Sequence, residues 1–193
     1  MAYNLDLFYS WKKHFDGVEC VEIIDDDILK HQADAIVSPA NSFGYMDGGL
    51  DLKYSKHFGW ELEGKVRKRL EEEYFGEIPV GNAVIVETER QDIPFLISAP
   101  TMRVPSNVAD TVNSYLAFKG ILQAVILHNR NKSPGIQSVL CPGLGTGEGK
   151  MSPENCAKQM YRAYEVCILN KFETKGGLAG AVNDHIRLIE QKL

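Results

Sequence analysis

The sequence predicts an α/β fold of three layers, with helices on both faces of a mixed sheet of about six strands. Three observations predict it. Short apolar runs alternate along the chain with longer stretches of helical periodicity. Two of those runs lead directly into glycine-bearing loops, residues 35–38 into 39–51 and residues 139–141 into 142–149. The 193 residues, 44% of them hydrophobic, suffice for one sizeable core, and no internal repeat divides them.

Taken in order, residues 5–9 can form a first strand and 11–15 a short helical turn. Residues 18–24 read as the next strand, with Asp25, Asp26 and Asp27 at its carboxyl end. Adjacent carboxylates repel one another, so they sit in solvent or find donors. For Asp25 and Asp26 a solvated loop is the plainer reading, and no partner ligand for a metal stands nearby. Residues 35–38 have the pattern of a buried strand. Pro39 ends it, Asn41 offers an amide, and Gly44, Gly48 and Gly49 precede a helix. Glycines in such a connection let backbone N–H groups approach an anion, above all a phosphate at the helix N-terminus. A plain turn is the competing reading of the same composition. Asn41 is either a ligand group or a turn-former bonding its own backbone.

Residues 60–74 are amphipathic. Leu62, Val66, Leu70 and Tyr74 share one stripe, and opposite charges pair at i,i+4. The basic run Lys65, Arg67, Lys68 and Arg69 alternates with acidic residues and reads as a solvated face. Residues 82–87 and 94–99 are two more strands. The exit of the second carries Arg103, which either reaches a phosphate or lies on the surface. Asp110 or Thr111 caps a long helix to residue 129, with Tyr115, Phe118, Leu122 and Val125 inward. After the strand 139–141 come Gly143, Gly145, Gly147 and Gly149. Ordering so many glycines is entropically costly, and close approach of backbone to a ligand is the usual compensation. Ligands of open α/β sheets sit beyond the carboxyl ends of strands, so the two glycine loops can clamp one phosphorylated ligand. Ser152 and Pro153 suit N-cap and N1 of a helix to residue 170. A polar connection over 171–180 and a final short helix over 181–193 complete a single domain, residues 1–193.

Net charge is −5, from 26 acidic and 21 basic residues, which argues against nonspecific nucleic-acid binding. The four cysteines show no C-x-x-C pairing and no neighbouring histidine at zinc spacing, so neither a disulfide framework nor a structural metal is expected. No cofactor is implied. The N-terminus lacks the basic and apolar regions of a signal peptide, and no apolar run has the length of a membrane span. The expectation is a soluble, cytoplasmic protein with no membrane partner. Oligomeric state is left open.

Several blocks, in order, carry a family resemblance. They are residues 21–28 ending in Asp27-Ile28, residues 34–41 ending in Ser38-Pro39-Ala40-Asn41, then Gly48-Gly49-Leu50-Asp51, and finally Pro142-Gly143-Leu144-Gly145-Thr146-Gly147. Over roughly residues 18–170 this pattern resembles a macro domain, a fold that binds ADP-ribose. The resemblance implies ADP-ribose or an ADP-ribosylated substrate as ligand. Asp27 then accepts the adenine amine, and the N–H of Ile28 faces the ring. Gly48, Gly49 and Leu50, with the N–H groups of Gly145, Thr146, Gly147, Glu148 and Gly149, cradle the diphosphate. Asn41 contacts the distal ribose. Asp51 matches the acidic residue of members that hydrolyse ADP-ribosyl bonds, where it orients or activates water. Alternatively Asp51 only favours the N-terminus of its helix electrostatically.

The pattern also departs from the family. Ser55 stands where some branches place a catalytic histidine or a nucleophilic lysine, and His57, Lys53 and Lys56 are out of register. Glu148 and Gly149 replace an apolar residue and an aromatic. No strand follows residue 170, and residues 5–9 are expected to take that sheet edge. The implied activity is hydrolysis of an ADP-ribosyl ester, glycosidic bond or 1″-phosphate, with Asn41 and Asp51 catalytic and Glu148 a second candidate base. Two other readings stay open: a non-catalytic reader of ADP-ribosylated targets, and a binder of another nucleotide or an RNA end.

Overall fold

The computed structural model describes residues 4–131, 135–172 and 176–190. Its elements run α1 (Leu5–His14), a short 3-10 turn (Ile28–Lys30), β1 (Ala35–Ser38), α2 (Gly49–Phe58), α3 (Glu61–Tyr74), β2 (Val84–Glu87), β3 (Phe95–Ser98), α4 (Asn113–Asn131), β4 (Val139–Leu140), α5 (Pro153–Cys167) and α6 (Gly177–Ile189). The sheet order is β2-β3-β1-β4. β1 pairs in parallel with β3 and β4, and β2 runs antiparallel to β3, so the sheet is mixed as expected.

The alternation of side chains along a strand divides the core into two layers. Ala35, Val37 and Ile97 face α1, α4 and α5. Ile36 and Leu96, with Val84 and Val86, face α2 and α3. The three-layer α/β/α arrangement follows directly. All four strands are short, and β1 is buried over its whole length.

Two of the six expected strands are absent, leaving four. Residues 5–9 are the first half of α1. Leu5, Leu7 and Tyr9 alternate as in a strand, but Leu7, Trp11 and Phe15 also recur at helical spacing, and these three are the buried ones. Asn4 caps the helix by accepting from the Asp6 N–H at 2.9 Å, and Lys12, Lys13 and His14 occupy its last turn. Phe15 then packs edge-on against Tyr161 and Tyr164 of α5. Residues 18–24 form no ladder; Val18, Val21 and Ile23 pack on the core as irregular chain. No strand follows residue 170 among the described residues, and α1 lies on a helical layer rather than at the sheet edge.

The remaining boundaries shift by a few residues. α4 begins at Asn113, with the Thr111 hydroxyl accepting its N–H at 3.2 Å. α5 ends at Cys167, short of 170, and α6 starts at Gly177 instead of 181. Ser152 does cap α5, accepting the Asn155 N–H at 3.2 Å with Pro153 at N1. Residues 191–193 of the expected last helix lie outside the described residues. Among the described residues, no helix is long and apolar enough to cross a membrane, and no three His, Cys, Asp or Glu cluster as metal ligands.

Candidate functional site

Because β1 and β4 are parallel neighbours, the two glycine loops leave the same end of the sheet side by side. The first loop is pinned on both flanks. Asn41 bridges Met102, the Ser42 N–H donates to the Arg103 carbonyl at 3.0 Å, and the Ile78 N–H donates to the Ser42 carbonyl at 2.9 Å. The amide of Asn41 serves its own loop: Oδ1 accepts from the N–H groups of Phe43 (3.0 Å) and Tyr45 (3.4 Å), and Nδ2 donates to the Tyr45 carbonyl at 2.8 Å. Asn41 is thus a turn-former, whatever else it contacts. Gly44 has φ +73°, and a Cβ there would stand 2.9 Å from Val66 Cγ1, so this position requires glycine.

The loop feeds α2 with its donors exposed. Gly48 is the N-cap, and no side chain caps this end. The N–H groups of Gly49, Leu50 and Asp51 find no acceptor among the described residues, as the first turn of a helix requires unless something external supplies one. Gly48 and Gly49 are exposed and Leu50 is half-buried.

Asp51 follows in the first turn and is the buried charge of the site. It is 7% exposed, and its Oδ1 accepts the Ser38 hydroxyl at 2.6 Å. Burial raises its pKa from 3.8 to about 6, with the Ser38 bond opposing that rise. The same helix is tied down by Tyr54, whose hydroxyl donates to the Val37 carbonyl at 3.1 Å, and by Ser55, whose hydroxyl donates to the Met46 carbonyl at 2.9 Å. Burial first, then the neighbouring Asp51 carboxylate, pushes the Tyr54 hydroxyl well up.

The second loop is built by close packing. Gly145 is buried with φ +72°. A Cβ on Gly149 would lie 2.5 Å from the Gly145 carbonyl oxygen, and one on Gly143 would lie 2.6 Å from Leu7 Cδ2 of α1. The Val108 N–H donates to the Gly149 carbonyl at 2.8 Å, and the N–H groups of Lys150 and Met151 close back on Gly147 and Gly145. The N–H groups of Gly145, Thr146, Gly147, Glu148 and Gly149 make no hydrogen bond among the described residues. Thr146 is half-buried, while Gly147 and Glu148 form the exposed tip.

Asp27 caps the 3-10 turn by accepting the Leu29 N–H at 3.1 Å, which leaves the Ile28 N–H without an acceptor among the described residues. Asp25 is solvated as expected; Asp26 keeps a largely exposed side chain and also finds donors, accepting from Lys30 at 2.9 Å and from the Asp27 N–H at 2.7 Å, and the Lys30 bond holds its pKa down. Arg103 is turned to Glu77 rather than to an open phosphate site. His57 packs edge-on against Phe58 on α2. Sequence reasoning missed Ser38 and Tyr54, since a strand-end serine and a helical tyrosine carry no signal until the packing is known. Two surface clefts of about 560 and 640 Å³ lie elsewhere, the first between residues 81–83 and α4 and α5, the second along β2, and neither touches the predicted site residues.

Residues 25–175 match the family model described as "Macro-like domain", leaving α1 and α6 outside the matched segment. An uncharacterised protein of Aeropyrum pernix is 32% identical over 140 residues, 72% of this chain and 68% of its own length. The DNA ADP-ribosyl glycohydrolase of Mycobacterium tuberculosis is 27% identical over 146 residues, and the alignment covers 72% of this chain but 37% of that protein. Among solved structures, the macrodomain of M. tuberculosis DarG superposes with a TM-score of 0.59 at 24% identity, covering 74% of this chain and 88% of that one. The Oceanobacillus iheyensis macrodomain with ADP gives 0.57 at 18% identity, covering 71% and 72%. By the extent of the family match and the fold beneath it, the chain belongs to the macro-like domain family.

Proposed function

We propose that the chain binds ADP-ribose at the paired glycine loops and hydrolyses the bond joining its distal ribose to an acceptor. The observation that carries this is a buried carboxylate, Asp51, in the first turn of α2, together with eight backbone N–H groups in the two glycine loops that lack acceptors among the described residues. Such N–H groups at a helix N-terminus and a glycine loop suit a diphosphate, which needs several donors and tolerates no side chain in between. The ADP complex of the O. iheyensis macrodomain and the ADP-ribose complex of one of its variants support a ligand of this class.

In this reading Asp27 and the Ile28 N–H meet the adenine, the N–H groups of residues 49–51 and 145–149 hold the diphosphate, and Asn41 stands beside the distal ribose. Asp51 orients a water and takes its proton. The water oxygen bonds to C1″ of the ribose, and the bond from C1″ to the acceptor breaks with its electron pair leaving on the acceptor. A carboxylate lifted to about 6 is matched to that task near neutral pH. A covalent lysine route finds no residue here. Ser55 holds that register, is fully buried and spends its hydroxyl on Met46, and Lys53 and Lys56 are exposed. Glu148, at the exposed tip, is a second base only if the acceptor reaches it.

Calorimetric titration with ADP-ribose, beside ADP and AMP, tests the binding step. Turnover of ADP-ribosylated protein, ADP-ribosylated DNA and ADP-ribose 1″-phosphate tests the chemistry. Asp51→Ala is expected to abolish turnover and keep binding. Binding with no turnover of any substrate by the unaltered protein would leave a reader module instead.

A further inference from the structure

We infer that Ser38 is a positioning residue for Asp51, fixing which oxygen of the carboxylate faces the reacting water. The inference rests on the hydrolytic reading of the site but stands on its own geometry. Ser38 is the last residue of β1, fully buried and locked in register with Ser98 of β3. Its side chain points to the α2 layer, because Ile36, two residues earlier, does so. From there the hydroxyl donates to Asp51 Oδ1 at 2.6 Å.

No other hydrogen bond reaches that carboxylate among the described residues, and the side chain retains slight exposure. One oxygen is thus clamped to the sheet, and the other remains for a water or a ribose hydroxyl. The helix beneath is immobilised independently through Tyr54 to Val37 and Ser55 to Met46. With strand and helix both fixed, the serine decides the rotation of the carboxylate about its last bond. A carboxylate rotated out of place loses the alignment on which general-base catalysis depends.

The serine also acts on the proton. Its hydrogen bond favours the ionised form, against burial, which disfavours it. Burial and the Ser38 bond alone shift Asp51; the titratable groups acting on Tyr54, one turn along α2, are Asp51 itself, Cys141 beyond β4 and Asp27 before the 3-10 turn. None is a cation, so no neighbouring positive charge shares this role with Ser38. Removing the hydroxyl should therefore move the whole titration of Asp51 upward.

The test uses Ser38→Ala and Ser38→Thr in the full chain. NMR titration of the Asp51 carboxyl carbon is run beside pH profiles of kcat/KM and calorimetry with ADP-ribose. Ser38→Ala is expected to raise the Asp51 midpoint by about one pH unit and to move the acid limb of the profile equally. ADP-ribose affinity should stay within about twofold, since the serine lies beneath the site. Ser38→Thr should restore both midpoints. An unchanged Asp51 midpoint in Ser38→Ala, or a threonine that fails to restore it, overturns the inference. If no substrate turns over, the carboxyl titration still decides the role of Ser38, and the missing turnover counts against the hydrolytic reading alone.

Discussion

Arg103 and Glu77 form a two-pronged ion pair beside the first glycine loop. Nε and Nη2 of the arginine donate to the two carboxylate oxygens at 2.5 and 2.9 Å, and the guanidinium lies over the Phe43 ring, 5.1 Å from its centre. The pair fastens the chain after β3 to the segment after α3, the ring contact ties it to the loop after β1, and the Nε–Nη2 edge of the guanidinium is thereby occupied. Arg103→Ala is therefore expected to change ADP-ribose affinity less than about threefold, read by calorimetry. Because both side chains are largely exposed, the melting temperature should fall only slightly. A tenfold loss of affinity, on the order of 1.4 kcal/mol, would return Arg103 to the ligand.

Asp51 should make stability depend on pH in a distinctive direction. Its folded pKa is raised, so its contribution is most favourable in acid and is lost as pH rises from the ordinary 3.8 through about 6. At about 1.4 kcal/mol per pH unit, ionising it in place costs on the order of 3 kcal/mol at pH 7. Asp51→Asn should be more stable than the unaltered protein at pH 7–8 and inactive. The gain should shrink toward pH 4, as urea melts across that range would show. Equal stability at every pH would mean that the carboxylate is better solvated than its burial implies.

The late loop offers a matched pair of substitutions. A methyl on Gly149 would meet the Gly145 carbonyl oxygen at 2.5 Å and Val108 Cγ2 at 2.7 Å, whereas one on Gly147 meets nothing within 4 Å. Gly149→Ala is expected to displace the loop and weaken ADP-ribose binding by about tenfold or more. Gly147→Ala should fold normally and bind with at most a few-fold loss. Calorimetry on both, with melting curves as a folding control, distinguishes loop geometry from loop composition.

Gly44 tests the first loop in the same spirit. Its positive φ and the nearness of Val66 and Leu70 leave no room for a side chain. Gly44→Ala should cost about 1–3 kcal/mol of stability by urea unfolding, through backbone strain and displaced core side chains. A loss below 0.5 kcal/mol, about the level of an ordinary surface change, would show that the loop adjusts freely.

Much of the site was legible from local pattern. The strand over 35–38, its exit at Asn41, the glycines before α2, and the glycine loop after 139–141 all lie where residue type alone placed them. Local chemistry sufficed there because apolar runs, proline stops and glycine turns act within a few residues. Asn41 shows the limit. That it forms the turn was legible only on seeing both ends of its amide engaged with Phe43 and Tyr45.

The N-terminal segment shows a second limit. Residues 5–15 satisfy a strand period and a helix period at once, and packing of Leu7, Trp11 and Phe15 against α5 selected the helix. The sheet lost an edge strand by that choice and, with residues 18–24 also outside the ladder, stands at four strands rather than six.

By itself, then, the sequence determined the class of fold, the two glycine loops and the acidic residue that begins α2, since each depends on neighbours in the chain. Tertiary structure alone decided that Ser38 meets Asp51 across 13 positions, that the buried Tyr54 hydroxyl reaches the Val37 carbonyl, and that Arg103 pairs with Glu77. Those relationships arise from burial and from the register of parallel strands. Both are properties of the assembled layers, and no short window of sequence encodes either.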